Sequence, residues 1–196
     1  DVEGAKRRFI EHTVLRTENY GGGGHHRPNR VKTGVSIEED AGRRDFTVNA
    51  VYYDVARKKV LDPVGGLKDI ENRRIRTVRE DTLFDDALRI LRMVRFACEL
   101  GFTIEEATFK AAARNVDMLR DIAPERRAEE LSKILLSDAK YAPPEQADGA
   151  ACLRGLELLR DLGALEFLLP HLEGGRGFSQ PNEYHQYDVL YHNFYT

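Results

Sequence analysis

The feature that most limits how this chain can fold is a change of period near residue 81. Behind that point, apolar residues recur at three- and four-residue spacing. "DTLFDDALRILRMVRFACELGF" carries Ala87, Leu88, Leu91, Val94 and Cys98 on one helical face and stops at Gly101. "TIEEATFKAAARNVDMLRDI" follows as a second predicted helix, capped by the Thr103 hydroxyl with Glu105 close behind. "APERRAEELSKILLS" is a third, with Pro124 in its first turn. "YAPPEQADGA" reads as a linker, and "ACLRGLELLRDLGALEFLLPHL" as a pair of short helices parted near Gly163. A last helix begins in "PNEYHQYDVLYHNFYT".

Ahead of residue 81 the pattern is that of strands and turns. "RRFIEHTVLR" alternates, with Phe9, Glu11, Thr13 and Leu15 on one face. Four glycines and a proline in "NYGGGGHHRPN" predict a flexible loop over residues 20 to 29. "NRVKTGVS" suits a short strand, and "SIEEDAGRR" a short helix with a serine cap and acids in its first turn. β-Branched and aromatic residues in "FTVNAVYYDV" predict a strand with Val48, Ala50 and Tyr52 facing one way. Another strand ends at Asp62-Pro63, followed by a turn through Gly65-Gly66. The class is therefore α+β: a mixed head over residues 1–80, a helical neck over 81–140 and a helical body over 141–196.

Length allows one sizeable domain or two small ones, since 196 residues can bury a core without staples. The formal charge of −3 requires any nucleic-acid binding to come from local clusters. Two cysteines, Cys98 and Cys152, make neither a disulfide framework nor a paired zinc site, and both fall in apolar helical patterns. Buried free thiols point to a reducing, cytoplasmic compartment. No run is long and apolar enough to span a bilayer, and no signal-peptide pattern opens the chain. The opening "DVEGAKRRF" and the closing "YHNFYT" read as cut from something longer.

Three stretches carry candidate chemistry. Arg89, Arg92 and Arg95 recur every third residue, forming a basic ridge on one helix, with Asp86 adjacent to Arg89 at i, i+3. Such a ridge is most often an exposed, salt-bridged face. Its sharper reading is base recognition: a carboxylate accepts from an exocyclic amine while a guanidinium donates to the neighbouring ring nitrogen. Cytosine and adenine present that edge; guanine and uracil present the reverse. In "RRDFTVNA", Arg43 and Arg44 are either a solvated turn or a triphosphate contact, and Asp45 and Asn49 flank an apolar stretch where polar groups need partners. "DPVGGLKDIENRRIR" adds a glycine turn, Asp69 and Arg76.

Taken in order, "RRDFTVNA", "DPVGGLKDIENRRIRTV" and "FDDALRILRMVRFACELGF" resemble the bacterial-type (class II) tRNA nucleotidyltransferases, the CCA-adding enzymes and their poly(A) polymerase relatives. "IAPERRAEELSKIL" fits the next helical motif, with Glu125 and Arg126 at matching places. The resemblance implies a polymerase-β-like nucleotidyltransferase head with a mixed sheet, then helices. It implies that Arg44, Asp45 and Asn49 hold the nucleotide's sugar and phosphates and that Asp86 and Arg89 read CTP or ATP. Arg92 and Arg95 are further nucleotide contacts, and Arg126 and Arg127 contacts to RNA. The family's Glu-Asp pair is Asp85-Asp86 here. The glycine segment matches the family's flexible loop.

The resemblance also implies Mg²⁺, held by an Asp-x-Asp strand that this sequence does not contain. Glu11 matches only a supporting acid, so the chain alone is not expected to catalyse. His185 and His192, seven residues apart on one helix, resemble the start of an HD-type phosphohydrolase metal site, whose His-Asp pair is missing. The expected partners are the tRNA 3′ end, CTP and ATP, without a membrane. CCA addition is preferred over A-only, CC-only or poly(A) addition. A non-catalytic RNA-binding fragment and a hydrolase fragment are the rivals.

Overall fold

The structure is a computed structural model that describes residues 13–20, 28–141, 149–179 and 188–195. Its head opens with an antiparallel hairpin of β1 (Arg16–Asn19) and β2 (Arg30–Thr33), Arg16 facing Thr33. Among the described residues the first strand begins at Arg16, and just ahead of it the Leu15 carbonyl accepts from the Gly34 amide at 3.1 Å. Helix α1 (Ile37–Gly42) starts as its serine requires. Ser36 Oγ accepts from the Glu39 amide at 3.2 Å, and the Glu39 carboxylate accepts from the Ser36 amide at 2.8 Å.

The strand expected over "FTVNAVYYDV" is only half present. Thr47–Asn49 is a turn of 3₁₀ helix, and β3 is confined to Tyr52–Asp54, paired antiparallel with β4 (Lys59–Leu61). Three interactions curl the chain. Phe46 is fully buried in the core, Asn49 Nδ2 bonds back to Asp45 Oδ1 at 3.1 Å, and Thr47 Oγ1 donates to the buried Asp69 at 2.7 Å. Val48, Ala50 and Tyr52 consequently share no strand face.

The turn at Gly65-Gly66 leads into an unanticipated helix, α2 (Gly66–Glu71). Asp62 caps it, its two oxygens accepting from the Gly66 and Leu67 amides at 2.7 and 3.0 Å. Gly66 is needed because any Cβ there would sit 2.1 Å from the Thr47 carbonyl oxygen. β5 (Arg74–Ile75) then runs parallel to β6 (Thr103–Ile104).

The helical part begins with α3 (Thr82–Asp85) and α4 (Leu88–Leu100), separated by an extended Asp86 at φ −145° and ψ 104°. Gly101 ends α4 at φ 63°, and the Phe102 amide bonds back to the Ala97 carbonyl at 3.1 Å. Thr103 does not cap the next helix. Its backbone is drawn into β6, so α5 (Glu106–Asn115) starts later than its sequence predicts. Helices α6 (Pro124–Leu135), α7 (Asp138–Tyr141), α8 (Ala150–Asp161), α9 (Leu165–Leu168), α10 (Pro170–Glu173) and α11 (Val189–Tyr195) follow.

α4 is the axis of the core. Its Ile90, Leu91, Met93, Val94 and Ala97 are fully buried, in one cluster that runs from Phe46 and Ile75 of the head to Leu159 and Leu190. Each such large aliphatic side chain contributes about 1.5–3 kcal/mol on burial. α6 and α8 pack against α4 and against each other, closely enough that a Cβ at Gly155 would lie 2.5 Å from Ile134 Cγ2. The observed class is α+β, with short two-stranded sheets of both antiparallel and parallel kind. No described helix is long and apolar enough to cross a membrane.

Candidate functional site

The break between α3 and α4 creates the most informative corner of the molecule. Asp86 leaves helical geometry there, and its Oδ1 accepts from the Leu88 amide at 3.1 Å, tying the carboxylate to the first turn of α4. Arg89 lies one turn on, and its guanidinium is almost completely buried. Its NH1 donates to the Thr82 carbonyl at 3.1 Å, and its NH2 to the Arg43 carbonyl at 3.0 Å and the Tyr20 hydroxyl at 3.2 Å. Five donors serve a guanidinium. These bonds therefore fix its plane and leave donors over.

The second wall is the Arg43–Asp45 turn. Asp45 is 6% exposed. Burial pushes its carboxyl up, but the Arg92 charge and the donors on Asn49, Arg92 and the Phe46 amide outweigh that and hold it below the usual carboxylate range. The Arg92 Nε to Asp45 Oδ2 distance is 2.7 Å, so α4 and the turn are clamped across the cleft. Arg44 reaches Asp40 Oδ2 through Nε and NH2 at 3.1 and 3.0 Å, and donates through NH1 to the Asn49 carbonyl at 3.1 Å.

Asp40 is the residue that sequence reading missed. It is wholly buried, in the middle of α1, and gathers four neighbours: the Arg16 amide at 3.1 Å, Tyr52 Oη at 2.8 Å, Arg43 Nε at 2.8 Å and Arg44. Burial pushes its carboxyl up, yet these donors bring it down to about 2. Within "SIEEDAGRR" it is one of three acids, with only its i+3 and i+4 arginines as a signal. Tyr20, expected in the flexible loop, is also fixed. It is buried, it donates to Glu18 Oε2 at 2.8 Å, and the Arg89 guanidinium lies 5.5 Å above its ring. Burial and Glu18 push its phenol up to about 12, so it keeps its proton.

Between these walls lies an open cleft of about 520 Å³ lined by Arg44, Asp45, Asn49, Asp86, Arg89, Arg92 and Arg126, among others. The structure thus brings together the two candidate motifs, about forty residues apart in sequence. Arg126 reaches across from α6 to within 3.6 Å of Asp86 Oδ2.

Other expected residues lie elsewhere. Arg95 does not line the cleft. It is 6% exposed, and its guanidinium pairs with Glu130 at 2.7 Å and Glu99 at 3.2 Å, a buried network that joins α4 to α6. Arg127 points to a different slot, beside Phe167. Glu11 and His185 lie outside the described residues. His192 sits on α11, half-buried. No three His, Cys, Asp or Glu side chains gather as metal ligands among the described residues. Asp45 is held by Arg92 and Asn49, so the Mg²⁺ implied by the resemblance has no fitting donor set among the described residues.

Comparison with known proteins fits this geometry. Residues 2–76 match the poly A polymerase head domain, and residues 101–142 match the probable RNA and SrmB-binding site of polymerase A. The chain belongs to the tRNA nucleotidyltransferase and poly(A) polymerase family. It is 46% identical over 111 residues to the CCA-adding enzyme of Bacillus subtilis, covering 56% of this chain and 28% of that one. It is 37% identical over 184 residues to the multifunctional CCA protein of Stenotrophomonas maltophilia, covering 89% of this chain and 41% of that one. The crystal structure of the Bacillus stearothermophilus CCA-adding enzyme in complex with CTP superposes with a TM-score of 0.62 at 35% identity, over 78% of this chain and 33% of that one. The chain thus spans well under half the length of these relatives.

Proposed function

We propose that this chain supplies the nucleotide-selecting cleft and neck of a template-independent nucleotidyltransferase that adds CMP and AMP to tRNA 3′ ends. The observation that carries this reading is the convergence of Asp86 and Arg89 with Arg44, Asp45 and Asn49 on one cleft. Asp86, its Oδ1 held by the Leu88 amide and its Oδ2 3.6 Å from the Arg126 guanidinium, is the acceptor on the cleft wall for the exocyclic amine of cytosine or adenine. Arg89, its plane fixed by two carbonyls, donates to the adjacent ring nitrogen. Uracil and guanine present a carbonyl and an N–H in those places and meet acceptor with acceptor.

Arg44 and Arg92 supply guanidiniums for the triphosphate, and Asn49 a hydrogen bond to the ribose. The RNA 3′-hydroxyl attacks the α-phosphorus, the bond to the bridging oxygen breaks, and pyrophosphate leaves. Mg²⁺ is the expected cofactor of the whole enzyme. What these residues do is orient base and phosphates. The free thiols of Cys98 and Cys152 suit a reducing, cytoplasmic setting for tRNA processing.

Binding of ATP, CTP, GTP and UTP, measured by ligand-observed NMR on wild type and Asp86→Ala, tests the reading. Selective CTP and ATP signals that vanish in the variant are expected. Equal binding of all four nucleotides, indifferent to the substitution, would reduce the cleft to a phosphate-binding surface and overturn it.

A further inference from the structure

The donor and acceptor pattern of Asp86 and Arg89 rejects guanine when it offers the edge that pairs with cytosine, but guanine has a second edge. Its N7 and O6 are adjacent acceptors, and the two parallel N–H bonds of an unrestrained arginine make their commonest specific base contact there. A cleft lined by arginines needs something that stops this. Arg89 supplies it through the way its bonds are distributed. A guanidinium can offer two parallel N–H bonds along either of two edges, and the terminal nitrogen NH2 takes part in both. Here NH2 is engaged twice, to the Arg43 carbonyl at 3.0 Å and to the Tyr20 hydroxyl at 3.2 Å. Among the described residues, NH1 makes one such bond, to the Thr82 carbonyl, and Nε makes none. The remaining donors, Nε–H and one hydrogen on NH1, point in different directions and act singly. A single donor serves the lone ring nitrogen of cytosine or adenine, but it does not grip N7 and O6 together.

We propose that Tyr20 is a positioning residue that sets base specificity: its phenol oxygen occupies the Arg89 hydrogen that would otherwise complete a two-donor fork, and so keeps guanine out. This rests on the reading of Asp86 and Arg89 as the base-reading pair. The phenol is itself held in the accepting role. Its one proton goes to Glu18 Oε2 at 2.8 Å, and Glu18 is fixed by Arg16 Nε at 2.8 Å and Arg43 NH1 at 3.3 Å. Arg43 thereby acts at both ends, its carbonyl on Arg89 and its guanidinium on Glu18, which closes a ring of contacts through Arg89, Tyr20, Glu18 and Arg43. Tyr20 is buried and the Glu18 side chain nearly so, which limits competition from water at either group. The Tyr20 ring, 5.5 Å from the Arg89 guanidinium carbon, backs it as well.

The test is ligand-observed NMR on the 196-residue chain, wild type and Tyr20→Phe, with GTP, 7-deaza-GTP, ATP, CTP and UTP. 7-Deaza-GTP keeps the other polar groups of guanine and lacks the N7 acceptor. In wild type, GTP and 7-deaza-GTP are expected to bind alike. In Tyr20→Phe the freed hydrogen completes the fork, and the ratio of GTP to CTP affinity is expected to rise by about five-fold or more, the lower end of what a bidentate arginine–guanine contact discriminates. The corresponding ratios for 7-deaza-GTP and for UTP, whose base has no adjacent pair of acceptors, are expected to stay where they were. A wild-type chain that already prefers GTP to 7-deaza-GTP would overturn the inference without any variant. So would a Tyr20→Phe chain in which GTP gains nothing over 7-deaza-GTP, or in which UTP gains as much as GTP, the mark of a general loosening. A wild-type chain without preference for CTP and ATP over UTP would sink the base-reading pair and this inference with it. That preference kept, with no guanine gain in the variant, sinks the role of Tyr20 alone.

Discussion

Replacing Asp40 with asparagine should be among the most informative changes in the head. The side chain is fully buried and pairs with two guanidiniums, Arg43 and Arg44, whose side chains retain 15% and 32% exposure. Its carboxyl is held at about 2, well below an ordinary aspartate near 3.9. A group whose folded-state pKa is depressed stabilises the fold above its unfolded pKa and loses that contribution as pH falls through the folded one. The displacement is worth about 2.5 kcal/mol at neutral pH, present above pH 4 and lost toward pH 2. Asparagine keeps the size and can still accept from Tyr52 or the Arg16 amide, so the expected loss is about 2–3 kcal/mol. For a chain of this length that lowers the melting temperature by roughly 4–12 °C. Melts of wild type and Asp40→Asn should diverge at pH 7 and converge near pH 2. A variant that melts within a degree of wild type at pH 7, or that keeps its deficit at pH 2, would refute the reasoning.

Gly66→Ala should destabilise by about 3 kcal/mol or more, since its Cβ would strike the Thr47 carbonyl oxygen at 2.1 Å; urea unfolding measures this. Arg95→Met removes the guanidinium between the buried carboxylates of Glu99 and Glu130 and leaves them only Lys140 and Lys133, costing about 3 kcal/mol in the same assay. The nucleotide selectivity of the surviving folded fraction should be untouched, because Arg95 does not line the cleft. Cys98, buried and with its thiol pushed up to about 12, should resist a thiol reagent at pH 8 that labels Cys152. Equal labelling rates in the native protein would contradict that burial.

Elements bounded by local chemistry were legible in the sequence. The serine cap of α1, Pro124 at the start of α6 and Gly101 at the end of α4 act within one turn, and each sits where its residue type demands. Features decided by distant partners were not legible. "FTVNAVYYDV" has strand propensity throughout, but the Thr47 hydroxyl's bond to Asp69, twenty-two residues on, and the burial of Phe46 bend it into a turn. Thr103 looks like a cap until Arg73, thirty residues earlier, accepts from its amide at 2.8 Å. In the cleft, the motif residues could be named, but their division of labour could not. Three arginines spaced alike along α4 meet three different fates, because each turn of the helix faces another element: Arg89 toward Tyr20 and Arg43, Arg92 toward Asp45, Arg95 toward Glu130.

That division of labour bears on how the cleft can discriminate. An arginine free to swing would follow any anion or any base edge, giving affinity without choice. Here Arg44 is held by Asp40 and the Asn49 carbonyl, Arg89 by two carbonyls and a phenol, and Arg92 by Asp45. The carboxylates that hold them also lower the net positive charge that any triphosphate would otherwise feel. Affinity for phosphate is thus given up in exchange for fixed donor directions, which is what rejecting a base with reversed donors requires. Loosening one of these holds should therefore raise binding of the wrong nucleotides before it abolishes binding of the right ones. Asp45→Asn, which frees Arg92, is the direct case. Because Arg92 is assigned to the triphosphate common to all four, UTP and GTP affinities should rise together with those for CTP and ATP in the same NMR panel, whereas a uniform fall for all four would mean that Asp45 serves only to keep the walls together.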